Sequence, residues 1–227
     1  MHSDLQQDLK KAARDSLPVL AGYIVLGMGF GILLSTKGYG VLWALAMSVL
    51  IYAGSMQYLA IDLLAGGASL LSAALTTLLV NARHLFYGIS MVDRYKGAGR
   101  KKPYLIFALT DETYSLVCNT EGSHCYCFLV SLLNQIYWVA GSVLGSLLGG
   151  ILPFSTEGID FALTALFVTV FVEQWKSTKE HLPAVIGVAA SVLCLLVFGA
   201  DSFLIPSMVL ITVTLFALKF LRKEVRA

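Results

Sequence analysis

The sequence predicts an all-α integral membrane protein, a polytopic helical bundle with about eight membrane-embedded segments, some of them broken or re-entrant. Three observations carry this expectation. The 227 residues are 57% hydrophobic and 13% charged, and the mean hydropathy is +0.78, the composition of a polytopic membrane protein. The apolar residues fall in runs of spanning length, divided by short polar or basic stretches. Charged and amide side chains nevertheless lie inside several runs, where hydrocarbon offers them no partner. The spans take up most of the chain. One transmembrane domain is therefore expected over residues 17–221, between an amphipathic cytoplasmic helix (1–16) and a cytoplasmic tail (222–227).

In chain order, residues 3–16 read as a short amphipathic helix. Ser3 or Asp4 can cap it, and Leu5, Leu9, Ala12 and Ala13 form an apolar stripe. Lys10, Lys11 and Arg14 suit an anionic cytoplasmic surface. The polar start, Met1-His2-Ser3-Asp4, lacks the character of a secretory signal. Leu17–Leu34 is the first span, with Pro18 where a helix start tolerates it. Gly22, Gly27, Gly29 and Gly31 strip side chains from part of its surface, for close helix approach or backbone exposure to a ligand.

Val41–Leu64 is long enough to span but carries Gly54-Ser55-Met56-Gln57 at its middle. Either the helix is discontinuous there and presents backbone groups to a substrate, or it is continuous with a buried, hydrogen-bonded Gln57. Ser69–Met91 contains Asn81-Ala82-Arg83-His84. Arg83 lies ten residues before Asp93, roughly half a bilayer core at ~1.5 Å per residue. In a regular helix Thr77, Asn81, His84 and Gly88 share one face, and Thr76, Arg83 and Tyr87 nearly the opposite one. That pattern fits a helix buried on both sides, a break near Asn81 that turns both sets toward one cavity, or an arginine snorkelling from a membrane edge.

The basic loop from Asp93 to Lys102 is cytoplasmic by the positive-inside rule. Pro103–Asn119 carries Asp111 and Glu112 at its centre. Two adjacent carboxylates cannot both face lipid, so the segment lines a cavity, pairs an acid with Arg83, or is a surface loop. In Cys125–Leu152 the repeated Gly141, Gly145 and Gly149 make a ridge for tight helix contact, within the protein or with a partner subunit. Asn134 and Gln135 read as structural hydrogen bonders. Segments near Phe161–Trp175, Pro183–Gly199 and Phe203–Leu221 complete the set, and the tail, with Arg222, Lys223 and Arg226, is basic and cytoplasmic.

Both termini and the 93–102 loop thus read as cytoplasmic, yet an odd number of segments lies on each side of that loop. One segment in each half must fail to cross. The candidates are 41–64 and 103–119, which would make Gln57 and the Asp111-Glu112 pair the tips of two broken elements.

Taken together, Tyr52-Ala53-Gly54-Ser55-Met56-Gln57-Tyr58, Asn81-Ala82-Arg83-His84-Leu85-Phe86-Tyr87-Gly88 and Thr110-Asp111-Glu112-Thr113 resemble the AzlC family, the large subunits of bacterial branched-chain amino acid exporters. The similarity covers roughly residues 15–155. It implies export of valine, leucine and isoleucine, with methionine as a further candidate. It also implies a small hydrophobic AzlD-type partner, a proton-motive energy source and a place in the bacterial cytoplasmic (inner) membrane.

The residues fit such a task. A zwitterion needs a donor for its carboxylate, an acceptor for its ammonium and an apolar pocket. Arg83 or backbone N–H groups near Gly54 and Ser55 suit the first. Asp111 or Glu112 suits the second, or a coupling proton, with Glu112 the favoured carrier. Gln57, Asn81 and His84 line the same pathway. Two other readings are an exporter of another small hydrophobic zwitterion, and an accessory subunit whose partner carries the path. An enzyme is not expected. Ser55, His84 and Asp111 are the residue types of a nucleophilic triad, but Ser55 lacks the G-x-S-x-G context. Cys118, Cys125, Cys127 and Cys194 have no zinc spacing, so neither metal nor cofactor is expected. No basic surface points to nucleic acid.

Overall fold

The computed structural model describes residues 2–118, 120, 122–151, 161, 164–165, 168, 171–172, 175–176, 178–199 and 203–224, and every regular element among them is helical. The chain forms two compact units, residues 1–163 and 164–227. Two of the described helices are long and apolar enough to cross a membrane, Leu17–Thr36 and His124–Ile151. Shorter apolar helices account for most of the rest. The span expected near 161–175 and the loop after Ile151 lie largely outside the described residues.

In the first unit, α1 (His2–Asp15) is the amphipathic N-terminal helix. It lies along the start of α9 (His124–Ile151). Ala12 and Ser16 are fully buried, and Tyr126 donates to Asp15 Oδ2 at 2.9 Å. Leu5 and Leu9 remain exposed.

The backbone of the unit is the pair α2 (Leu17–Thr36) and α9. Glycines on both helices explain how closely they approach. A methyl group on Gly27 would fall 2.9 Å from Ser142 N, and one on Gly141 would fall 2.8 Å from Tyr23 O. A methyl on Gly145 would collide with the Met28 backbone, and one on Gly149 with Ser35 Oγ. The Gly141, Gly145 and Gly149 ridge is therefore filled by α2 of the same chain, which answers the alternative of a partner subunit at that face. Without side chains in the way, dispersion contacts run along both backbones.

Three interrupted helix pairs complete the unit. The first is α3 (Val41–Leu50) and α4 (Gly54–Ala65), the second α5 (Leu70–Val80) and α6 (Arg83–Met91), the third α7 (Lys102–Phe107) and α8 (Asp111–Val117). The first and third pack on this spine, and the second joins it through α4. The first break is sharp. Tyr52 is held at φ +43°, the left-handed region that a side chain avoids, and such backbone persists only where packing enforces it. The second is a tight turn in which Ala82 N bonds Leu79 O and His84 N bonds Asn81 O, three residues back instead of four. The third is capped: Thr110 is the N-cap of α8, and its hydroxyl accepts from Thr113 N.

Of the two readings of 41–64, the structure has the discontinuous one, parted at Ile51–Ala53, although Gln57 is buried and hydrogen-bonded as the other required. The expectation of a helix buried on both sides is not met at α5, which has no buried residue. Its leucines point outward; Leu70 is 91% exposed. An apolar helix with no buried face suits a lipid surround.

In the second unit, α10 (Leu182–Phe198) packs against α11 (Leu204–Glu224). Gly199, at φ +74°, ends α10 in a conformation that glycine adopts without strain.

Candidate functional site

The three breaks come together around one guanidinium. Arg83, the first residue of α6, bonds Asp111 Oδ2 through Nη1 at 2.7 Å. Through Nη2 it donates to Ser55 Oγ at 3.0 Å. Asp111 is the first residue of α8 and Ser55 the second of α4, so a single side chain joins three helix starts. The reach of arginine and its forked donors make this possible; a lysine gathers its three donors on one nitrogen. The Arg83 and Asp111 side chains are 33% and 22% exposed, so the pair is sheltered but still open to something small.

Several polar atoms here are buried without a hydrogen-bond partner: Asn81 Oδ1, Arg83 Nε, Asp111 Oδ1 and Tyr52 Oη. Tyr52 is nonetheless surrounded by Glu112, Thr113 and Tyr23, and Tyr87 stands beside Asp111 with its ring stacked on Tyr114. A buried polar atom left unpaired costs about 1–3 kcal/mol. Such atoms are rare in folded proteins, and a cluster of them calls for an explanation.

Glu112 is placed differently from Asp111. Its Oε2 accepts from Tyr23 Oη at 2.6 Å, and among the described residues no cation pairs with it directly. The two adjacent acids thus point to two environments, one facing Arg83 and one facing a phenol of α2.

The other expected residues are distributed as follows. Gly54 begins α4 directly beneath the Trp138 indole; a methyl there would lie 3.0 Å from the ring. Gln57 is fully buried and does not meet the acids. It accepts from Trp138 Nε1 at 2.8 Å and donates to Ser48 Oγ at 3.1 Å, which locks both halves of the broken 41–64 segment onto α9. In this arrangement its amide groups are taken by Ser48 and Trp138, away from the Arg83–Asp111 pair. His84 turns toward its own helix break: Nδ1 lies 3.2 Å from Asn81 O, and the ring packs edge-on against Tyr87. Ser55 is partnered by Arg83 and not by His84, so these residues do not line up as nucleophile and base. Gly141, Gly145 and Gly149 lie on the α2–α9 contact. Asn134 donates to Thr113 Oγ1 at 3.0 Å, and Gln135 bonds Tyr104 and Val49 O.

The sequence reading gave no role to Tyr23, and named Tyr52, Thr110 and Thr113 only as motif residues. A signal was there for two of them. A phenol inside an apolar helix requires a partner, and Thr before Asp-Glu is an N-cap pattern.

A helical chain that turns its leucines outward and gathers its charges at internal helix breaks is built as an integral membrane protein with a polar interior site. Comparison with known proteins makes the assignment specific. The family model described as AzlC protein matches residues 18–152, and the chain belongs to the AzlC family. It is 43% identical over 201 residues to the branched-chain amino acid transport protein AzlC of Bacillus subtilis, covering 86% of this chain and 79% of that one. It is also 43% identical to a membrane protein of Helicobacter pylori, covering 94% and 96% of the two chains. The inner membrane protein YgaZ of Escherichia coli is 30% identical, with 80% of each chain covered. No solved structure matches.

Proposed function

We propose that this chain is the large subunit of a secondary transporter that exports branched-chain amino acids from the bacterial cytoplasm in exchange for protons, acting with a small AzlD-type partner. The observation that carries the reading is the Arg83–Asp111 pair with its unfilled neighbours. An amino acid brings a carboxylate and an ammonium a few ångströms apart. Inserted into the pair, its carboxylate takes Arg83 and Ser55, and its ammonium takes Asp111. One ion pair becomes two, so no charge is left alone in a poorly solvated site. The open acceptors Asp111 Oδ1 and Asn81 Oδ1 and the open donor Arg83 Nε are the types such a guest would fill. Tyr87, beside Asp111 and stacked on Tyr114, suits an aliphatic side chain.

Proton coupling is assigned to Glu112. Asp111 is committed to Arg83 or to the substrate ammonium, whereas Glu112 has a hydroxyl partner and, among the described residues, no ion-pair partner. A proton taken from the outside would neutralise Glu112 while the emptied site resets, and its release inside would complete the cycle. The relative from Bacillus subtilis, named for branched-chain amino acid transport, supports the substrate class.

The test is counterflow of labelled leucine in liposomes, with and without the partner, and with and without a pH gradient. Saturable leucine exchange with the partner, driven uphill by the gradient, is expected. Exchange by the partner alone would move the transport path out of this chain, and exchange indifferent to the gradient would remove the proton.

A further inference from the structure

One polar cluster adjoins Glu112 and has no place among the substrate contacts proposed above. Tyr23 Oη is 2.6 Å from Glu112 Oε2 and 2.8 Å from Thr110 Oγ1. Thr110 donates to Thr113 Oγ1 at 3.0 Å, which also accepts from Asn134 Nδ2 at 3.0 Å. Thr110, Thr113 and Asn134 are buried, and so is Tyr23. The chain of contacts thus runs from the acid, through the N-cap of α8, to both helices of the glycine-packed spine.

Counting protons shows what this cluster can do. A phenol has one proton, and Tyr23 has two close oxygen neighbours, Glu112 Oε2 at 2.6 Å and Thr110 Oγ1 at 2.8 Å, with Tyr52 farther off. With Glu112 ionised, Tyr23 donates to the carboxylate. Its contact with Thr110 then holds only when Thr110 donates to Tyr23, which withdraws that proton from Thr113. With Glu112 protonated, the carboxyl donates to Tyr23, Tyr23 donates to Thr110, and Thr110 serves Thr113. Both arrangements satisfy Tyr23, and they differ in the direction of each hydroxyl. The balance is simple: one proton is added at Glu112, and every hydroxyl keeps its own proton and turns.

We propose that Tyr23 and Thr110 are positioning residues for Glu112, a hydroxyl switch that transmits the presence of a proton on Glu112 to the N-cap of α8. The proposal rests on the reading of Glu112 as the proton carrier. Its consequence is coupling. Thr110 caps the helix whose first residue is Asp111, so a change in what Thr110 bonds is felt at once by the carboxylate that holds Arg83. The charged and titratable groups around Glu112 are Asp111 beside it, Arg83 and Tyr87 from α6, Tyr52 from the first break and Tyr23 from α2. From α9 it is the neutral Asn134 that reaches the cluster.

The test uses the full chain with its partner in liposomes, titrated with pH and followed by infrared difference spectroscopy. The carboxyl C=O band that disappears in Glu112→Gln belongs to Glu112. Two conservative variants should move its pH midpoint in opposite directions. Tyr23→Phe removes the donor to the carboxylate and should raise the midpoint by about one pH unit, the value of one hydrogen bond to a charge. Thr113→Val removes the acceptor that Thr110 needs when Glu112 is neutral, and should lower it. A clamp that merely holds the helices together would not shift the midpoint in two directions. A Glu112 band that is unmoved in both variants, or moved the same way in both, overturns the switch. Should Tyr23→Phe fail to fold, an unmoved band in Thr113→Val alone overturns it. If no Glu112 band titrates at all, the switch and the proton-carrier reading fall together. If the opposite shifts are seen while Glu112→Gln still couples leucine efflux to the gradient, the switch stands and the transport role of Glu112 fails.

Discussion

Removing Arg83 should reveal its coupling to Asp111, and the size of that coupling follows from the geometry. The guanidinium makes a 2.7 Å contact with Asp111 and a 3.0 Å bond to Ser55. Exposed ion pairs are worth about 0–1 kcal/mol, whereas breaking a buried pair costs about 3–5 kcal/mol because one charge is left behind. With side chains 33% and 22% exposed, this pair falls between, at about 2–3 kcal/mol. Arg83→Ala and Asp111→Ala should each destabilise the protein by that order. The double variant should be more stable than the sum of the two predicts by about 2 kcal/mol, since neither charge is then stranded. Denaturant unfolding of the reconstituted variants measures this directly. Transport adds a second reading. Arg83→Lys keeps the charge but cannot reach Asp111 and Ser55 together. Losing one charge-assisted hydrogen bond, about 1.5–3 kcal/mol, should raise half-saturating leucine about 10- to 100-fold in counterflow. Additive unfolding energies, together with unchanged leucine saturation in Arg83→Lys, would refute both the pairing and the assigned carboxylate site.

Gly145→Leu should disrupt the α2–α9 spine, because even its first carbon would collide with the Met28 backbone; a loss of about 3 kcal/mol or more should appear as lowered yield and thermal stability, and a stable variant with altered substrate preference would instead place Gly145 at the site. The basic loop should be cytoplasmic, so Asp93→Cys, in a chain whose native cysteines are replaced, should react with an impermeant maleimide only from the inside. Asp93 is chosen because it is exposed, whereas Gly97 sits at φ +81°, where a side chain is strained; labelling from outside intact cells would invert the proposed orientation.

What could be read in advance was whatever depends on short stretches of chain. Composition and apolar runs dictate helices in a lipid surround, because hydrocarbon leaves the backbone no other way to satisfy its polar groups. The polar residues inside those runs marked a candidate site, since each is unfavourable where it stands. A partner for Arg83 within the Asp111-Glu112 pair could be proposed from that cost alone. The break near Gly54 was one of two open alternatives for the same reason: Gly and Ser weaken a helix but do not decide where it parts.

The tertiary structure decided the rest. Whether Arg83 met Asp111 or Glu112 depended on which carboxylate α8 presents to α6, and that follows from the packing of α8 on α9. Gln57 could have been bonded to any of several neighbours, and Trp138, 81 residues away in the chain, is the one that meets its carbonyl oxygen. The glycine ridge could serve any neighbour until α2 was seen to fill it. Tyr23 was one aromatic residue among many in an apolar run, and its role exists only because α2 brings it against Glu112, 89 residues later. Local sequence states what each residue needs; long-range packing selects which of several chemically equal partners supplies it.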